Sequence, residues 1–268
     1  MNVVLKELSR LVTLRVSLPV LFLLVSAFAY SQIEEKREKF PSYFGLVLSP
    51  TIPAGFLGPQ SSTSIDTTGQ MTTTFRQKVG YMFGATIRIG LTKRFSIETG
   101  ISQIHRNYET TMDIPDSNIH NVKSFGFISY DIPVNGLVYV QMGQQWYMNA
   151  YFGMSISQYP SDTRDTTFIG KNTLAAEGRR TKRTYFALNA GIGFEYRTKK
   201  SGTFYIGAGG KLPLQDIMIG VGLASNVYSP GKQLVTLNPV NGSFMTIDVR
   251  YFLPTIKNKG PQPLTGPL

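Results

Sequence analysis

Few residues in this chain could do chemistry. His105 and His120 are its two histidines, and it has no cysteine. Hydrolysis through a nucleophile needs a hydroxyl, a histidine base and an orienting carboxylate. Ser117 and Asp116 lie near His120, inside the polar stretch 113–120. That mixture of Asp, Pro, Ser and Asn is also what a surface loop needs, and we read it as one. No histidine–carboxylate spacing suits a metal. Residues 207–211 (GAGGK) look like the start of a phosphate loop, but no Ser or Thr follows the lysine and no helix is signalled. Their glycines are expected to let side chains pack across a narrow interior. Without cysteine there is no lipoprotein anchor, disulfide framework or thiolate metal site. The expectation is a protein that is not an enzyme and carries no cofactor.

Seven charged residues matter more for where they sit. Arg88, Glu98, Glu195, Arg197, Lys211, Asp248 and Arg250 fall on the polar phase of segments whose other phase is apolar. In 79–92, Val79, Tyr81, Phe83, Ala85, Ile87, Ile89 and Leu91 interleave with Gly80, Met82, Gly84, Thr86, Arg88, Gly90 and Thr92. The same two-residue period, which is that of a strand, runs through 146–157, 185–197 and 244–251. Weaker copies cover 43–50, 95–108, 124–139 and 203–212, giving eight candidate strands. Crossing a bilayer takes about 9–11 tilted residues, and the best runs are that long.

Connections between these strands alternate in length. Short turns are expected at 92–94, 141–145 and 198–202, and long polar segments at 51–78, 110–123, 160–182 and 213–242. Short turns on one side and long loops on the other are the habit of outer-membrane barrels. A bilayer accepts only fully paired backbone, so such a sheet has to close. The predicted fold is therefore all-β: a closed antiparallel transmembrane β-barrel of eight strands in an up-and-down meander, with both termini periplasmic. A soluble sandwich or lipocalin-like barrel would show the same alternation with its apolar face as the core. Aromatics near the strand ends, and glycine with mixed charge on the other phase, favour the membrane form. The seven charged residues then point inward. A lumen of eight strands is just wide enough to be filled by side chains, so they should pair as a polar plug. Arg88 and Glu98 flank one tight turn and are the first pair to expect. A narrow pore through the same lumen is the alternative.

The ends carry their own signals. Residues 1–31 read as a signal peptide: Lys6, Arg10 and Arg15 precede an apolar run at 18–29, with cleavage before Gln32. The run is short for a membrane-spanning helix. Removing this leader lowers the net charge from +11 to +9, because it holds three basic residues and one acidic residue. For an exported chain, a basic balance points to anionic lipid or lipopolysaccharide and not to nucleic acid. Residues 32–42 form a charged lead-in, 43–253 the barrel, and 254–268 a proline-rich periplasmic tail. The basic stretch 170–183 is expected to face glycolipid or a partner. Asp66-Thr67-Thr68 and Asp165-Thr166-Thr167 make Thr67 and Thr166 candidate O-glycosylation sites.

Four stretches together resemble a known family. They are the leader ending at Ser31 before Gln32, residues 80–100 (GYMFGATIRIGLTKRFSIETG), 130–133 (YDIP) and 247–254 (IDVRYFLP). The chain resembles the outer-membrane β-barrel proteins of Bacteroidota, the PorT-like and OmpA-barrel-like group, over about 43–254. That resemblance implies an eight-stranded barrel in the bacterial outer membrane. It also implies work as a structural or accessory subunit of an outer-membrane assembly serving secretion, gliding or nutrient uptake, with protein partners. A narrow transporter and a lipid-modifying barrel enzyme are the other readings.

Overall fold

A computed structural model describes residues 42–254, apart from Lys93, Lys199 and Lys200. The leader, nearly all of the lead-in and the tail beyond Pro254 lie outside the described residues. Thirteen strands account for most of the chain: β1 (Tyr43–Pro53), β2 (Ser61–Ile65), β3 (Thr72–Gly90), β4 (Phe95–Ile114), β5 (Ile119–Gln141), β6 (Trp146–Gln158), β7 (Thr163–Ile169), β8 (Asn172–Arg180), β9 (Thr184–Arg197), β10 (Thr203–Pro213), β11 (Met218–Ser225), β12 (Gln233–Val240) and β13 (Phe244–Phe252). Eight of them, β1, β3, β4, β5, β6, β9, β10 and β13, are hydrogen-bonded in that order, and β13 pairs back onto β1. The ring is a closed antiparallel meander, and closure leaves its backbone with no open edge.

Alternation decides which way each side chain faces. Large apolar residues line the outside: Ile87 is 46% exposed and Phe194 42%, while Arg88 and Glu195 beside them are buried. Rings gather at the short-turn end of this belt, where Trp146 lies 4.9 Å from Tyr196 and Phe204 5.1 Å from Tyr251. The turns themselves are tight. Thr92 Oγ1 accepts the amides of Arg94 and Phe95, and Thr198 Oγ1 accepts that of Ser201. Gly202 closes its turn at φ 84°, a conformation that favours glycine.

The long segments are not the polar loops that composition suggests. β3, β4 and β5 run for 19, 20 and 23 residues, about twice what a bilayer needs. β2 pairs with the far end of β3, and β12, β11, β8 and β7 form a second, four-stranded sheet. Side chains join that sheet to the ring strands: Asn238 Nδ2 donates to the carbonyls of Ser62 and Thr73, and Thr163 Oγ1 to that of Gly126. These extensions hold together because they have an apolar core of their own, with Met71, Met112, Ile114, Ile119, Leu174 and Leu234 buried in it. Stretch 113–120, expected to be a flexible loop, is a compact hairpin end. Pro115–Ser117 make one 3-10 turn, and Asn118 exits at φ 49°.

Candidate functional site

The inward faces of the ring carry its chemistry. Arg88 on β3 stands directly across from Glu98 on β4. Arg88 Nε and Nη2 donate to Glu98 Oε2 at 3.0 and 2.6 Å, and Nη1 donates to Glu195 on β9. The other oxygen of Glu195 takes Arg197 Nη2 at 2.8 Å, and Asn149 Nδ2 donates to the first at 2.7 Å. Arg250 Nη1 reaches the free oxygen of Glu98, and Nη2 reaches Asp248 at 2.7 Å. The result is one chain of alternating sign: Arg197, Glu195, Arg88, Glu98, Arg250, Asp248. Ser49 Oγ caps its end by donating to Asp248 at 2.7 Å. Each guanidinium also lies over a ring: Arg88 over Phe252 at 4.1 Å, Arg197 over Tyr147 at 4.0 Å and Arg250 over Tyr205 at 4.8 Å. Arginine's flat, weakly hydrated head makes both contacts at once, which lysine could not do as well.

Lys211 stands apart from this chain, further towards the long segments. Its Nζ meets Asp131 at 2.5 Å, and Ser157 Oγ donates to the same carboxylate at 2.6 Å. All seven residues picked out by alternation thus lie inside the ring, six in one chain and Lys211 in a second cluster. Two further interior charges, Asp131 and Arg106, are not among those seven. Parity could have found them: 106 is in phase with Glu98, and 131 with the inward Tyr139. Arg106 donates to Ser129 Oγ at 2.7 Å and lies over Phe244 at 5.0 Å. It has no carboxylate within ion-pair reach among the described residues.

Glycines make room for the rings. A Cβ on Gly191 or Gly209 would come within 2.5 or 2.1 Å of the Tyr151 side chain, and one on Gly193 or Gly207 within 2.4 or 2.3 Å of Tyr205. Tyr151 and Tyr205 therefore lie in grooves that only glycine leaves open. Residues 207–211 are simply part of β10, and their lysine is the ion-paired Lys211.

Between the two charge clusters is a cavity of about 70 Å³, bordered by Glu98, Asp131, Lys211, Asp248 and Arg250. Charged groups border it, Val47, Met82, Ala85 and Pro133 supply much of the rest of its wall, and it is large enough for a few water molecules. Beyond Arg106 the interior turns apolar: Phe75, Tyr108, Phe125, Phe127, Tyr159 and Tyr185 are buried and packed together there.

The remaining candidates are scattered. His105 is on the outer wall of β4, stacked on Tyr81 at 4.4 Å and bonded to Gln103. His120 touches Asp113 at the far hairpin, and Asp116 accepts from Tyr228 Oη at 3.4 Å. Among the described residues no group of His, Asp and Glu could hold a metal ion. Thr67 and Thr166 are both exposed, Thr67 on the β2–β3 turn and Thr166 on β7. Beside Thr67, the Asp66 carboxylate accepts the amides of Thr68, Gln70 and Met71 at 2.9, 2.7 and 2.7 Å. Burial works to raise its pKa. Bonds from the Thr68 hydroxyl and from these amides outweigh that and hold it below the usual carboxylate value.

No family model matches the chain, and no curated protein does. Among solved structures it is similar to the outer membrane protein OprG from Pseudomonas aeruginosa, at 9% identity and TM-score 0.46, over 82% of this chain and 99% of that one. It is also similar to the transport unit of the autotransporter AIDA-I from Escherichia coli, at 12% identity and TM-score 0.24, over 84% and 93%. Likeness at this level is too remote to carry a function, which has to be read from this chain's own surfaces.

Proposed function

We propose that the chain is an integral outer-membrane barrel serving as a structural or accessory subunit of a larger outer-membrane assembly. The membrane part of this reading rests on the inverted polarity of the ring, whose apolar side chains are outside and whose charges are buried inside. In water such a belt would aggregate, and in hydrocarbon it needs no cover. Short turns then face the periplasm, as do the described ends of β1 and β13, and the long extensions stand outside the cell. The chain runs in the outer membrane, with lipid and lipopolysaccharide as its immediate surroundings. The resemblance to the PorT-like group of Bacteroidota belongs to the same proposal.

The observation that carries the accessory role is the filled interior. A solute would have to break a chain of six ionised groups and then part a packed aromatic layer. A rigid body that does not conduct is suited to holding its outer extensions in place. Those extensions leave Phe168 73%, Ile65 64% and Leu237 60% exposed, and apolar patches on a water-facing surface favour protein contact. Planar-bilayer recordings of the purified protein are expected to show no conductance. Steady single-channel events would overturn the reading in favour of a narrow pore, with the charge-bordered cavity of about 70 Å³ as its starting point. A lipid-modifying activity would require His105 or His120, and unchanged lipid A after replacing both would remove it. Thr67 and Thr166 are proposed as glycan acceptors, testable by intact mass of the native protein.

A further inference from the structure

The wall of the ring is interrupted along β3 at a place that neither the charge chain nor the packed core uses. β1 accompanies β3 from Tyr43 opposite Arg88 as far as Thr51 opposite Gly80, and then departs. β2 takes β3 up again at Ser61 opposite Arg76. In between, the Gln77 amide donates to the Gln60 carbonyl at 2.8 Å, and β3 shifts register between Lys78 and Tyr81. The gap leaves a notch of about 390 Å³ in the outer surface, lined among others by Gln60, Ser61, Arg76, Lys78 and Val79.

Its chemistry is graded along the barrel axis. Val79, 58% exposed, is the last member of the apolar belt on β3. One step beyond come two cations, the Ser61 hydroxyl and the Gln60 amide. Lys78 is paired with Glu109 at 3.0 Å. Arg76 is exposed and stands across the β3–β4 ladder from that same Glu109, which is bonded to Lys78, so two cations share one carboxylate and the mouth keeps a net positive charge. An apolar lip followed by cationic and hydrogen-bonding groups matches an amphiphile standing upright beside the wall.

We propose that this notch binds the phosphate-bearing headgroup of an anionic lipid in the outer leaflet. Arg76 is the anchor, because its planar fork can take two phosphate oxygens at once, and Lys78 adds a second, less directional charge. Ser61 and Gln60 are placed to donate to the remaining oxygens. The inference rests on the membrane reading above, and the test separates the two.

The full mature protein, stripped of lipid in detergent, is offered phosphatidylglycerol or phosphatidylcholine with identical chains, and adducts are counted by native mass spectrometry. Wild type should retain the anionic lipid about fivefold better, the scale of one partly exposed charge contact. Arg76→Ala should lose that preference and Arg76→Lys should keep part of it, with thermal stability unchanged in both. Lys182→Ala, elsewhere on the basic surface, should behave as wild type. Inorganic phosphate in excess should not displace the adduct; if it does, a free anion is the ligand and the lipid proposal fails. Equal retention of the two lipids, or an undiminished preference in Arg76→Ala, also overturns the site but leaves the membrane reading intact. A protein that stays dispersed without detergent sinks the membrane reading itself.

Discussion

Two regions of this molecule share three strands and obey opposite rules. In the ring, β3, β4 and β5 turn Arg88, Glu98 and Asp131 inward and Ile87, Ile101 and Ile132 outward. In the extensions, the same strands turn Phe75, Met112 and Phe125 inward, and β3 sends Arg76 out. On β3 the change coincides with the register shift at Lys78, and on β4 it follows Arg106. A strand has no preference of its own for which face is apolar. The surrounding solvent sets it: on β4 and β5 the same parity stays inward throughout, and the change from charged to apolar side chains on that face marks where hydrocarbon gives way to water.

Breaking the ring's interior should have the largest effect. Glu98→Ala removes the carboxylate that lies between Arg88 and Arg250 and leaves two buried guanidiniums with one partner each. Losing one partner of a buried pair costs about 3–5 kcal/mol. Urea unfolding of the protein in lipid vesicles should show a loss of that size, while replacing a partly exposed partner such as Glu109 should hardly register. Equal effects from the two would mean that the chain of charges is hydrated and not a plug.

The outer faces give the sharper contrast. Phe194→Arg sets a charge in the belt, where the cost is about 2–4 kcal/mol near the bilayer midplane. Val235→Arg sets one on the exposed face of β12, where surface changes stay within about 0.5 kcal/mol. The same unfolding assay compares them, and similar costs would erase the distinction between the regions. Within the extensions, Met112→Ala should cost about 2–4 kcal/mol locally. Hydrogen exchange should then speed up across β8, β11 and β12 while the ring amides stay protected.

That division also explains how much could be read from the sequence. All eight ring strands were legible, because lipid on one side and a polar lumen on the other force opposite residue types onto alternate positions. The extensions lack that contrast. β2 (SSTSI) and most of β7 are polar on both faces, and Leu174–Gly178 in β8 are buried on both. β12 inverts the usual code by burying Thr236 and Asn238 while exposing Val235 and Leu237. On β3 the shift at Lys78 changes the phase, so extending the Val79–Leu91 pattern backwards would have placed Phe75 outside. Interior charges were recoverable wherever alternation was strong. Asp131 and Arg106 share the parity of inward residues on their own strands, as Glu98 on the strand of Arg106 shows, so alternation reaches them too. No pattern in one strand could show that six of the charges join into a single chain, since that depends on which strands the closure brings together.

A small and pH-dependent effect is expected at the β2–β3 turn, where the water-facing region has its own charged anchor. Asp66 has its pKa held below the usual carboxylate value by the Thr68 hydroxyl and three turn amides. A carboxyl with a lowered folded-state pKa binds protons more readily once unfolded, so its contribution is full above the unfolded value of about 3.9 and fades as pH falls through the folded one. The amides of Thr68, Gln70 and Met71 should therefore lose exchange protection selectively in acid. Asp66→Asn, which keeps the shape but not the charge, should cost about 1 kcal/mol at neutral pH and remove the pH dependence. The ring amides should not follow this titration. If they did, the turn and the ring would be opening as one unit, and the two regions would not be independent in stability as they are in polarity.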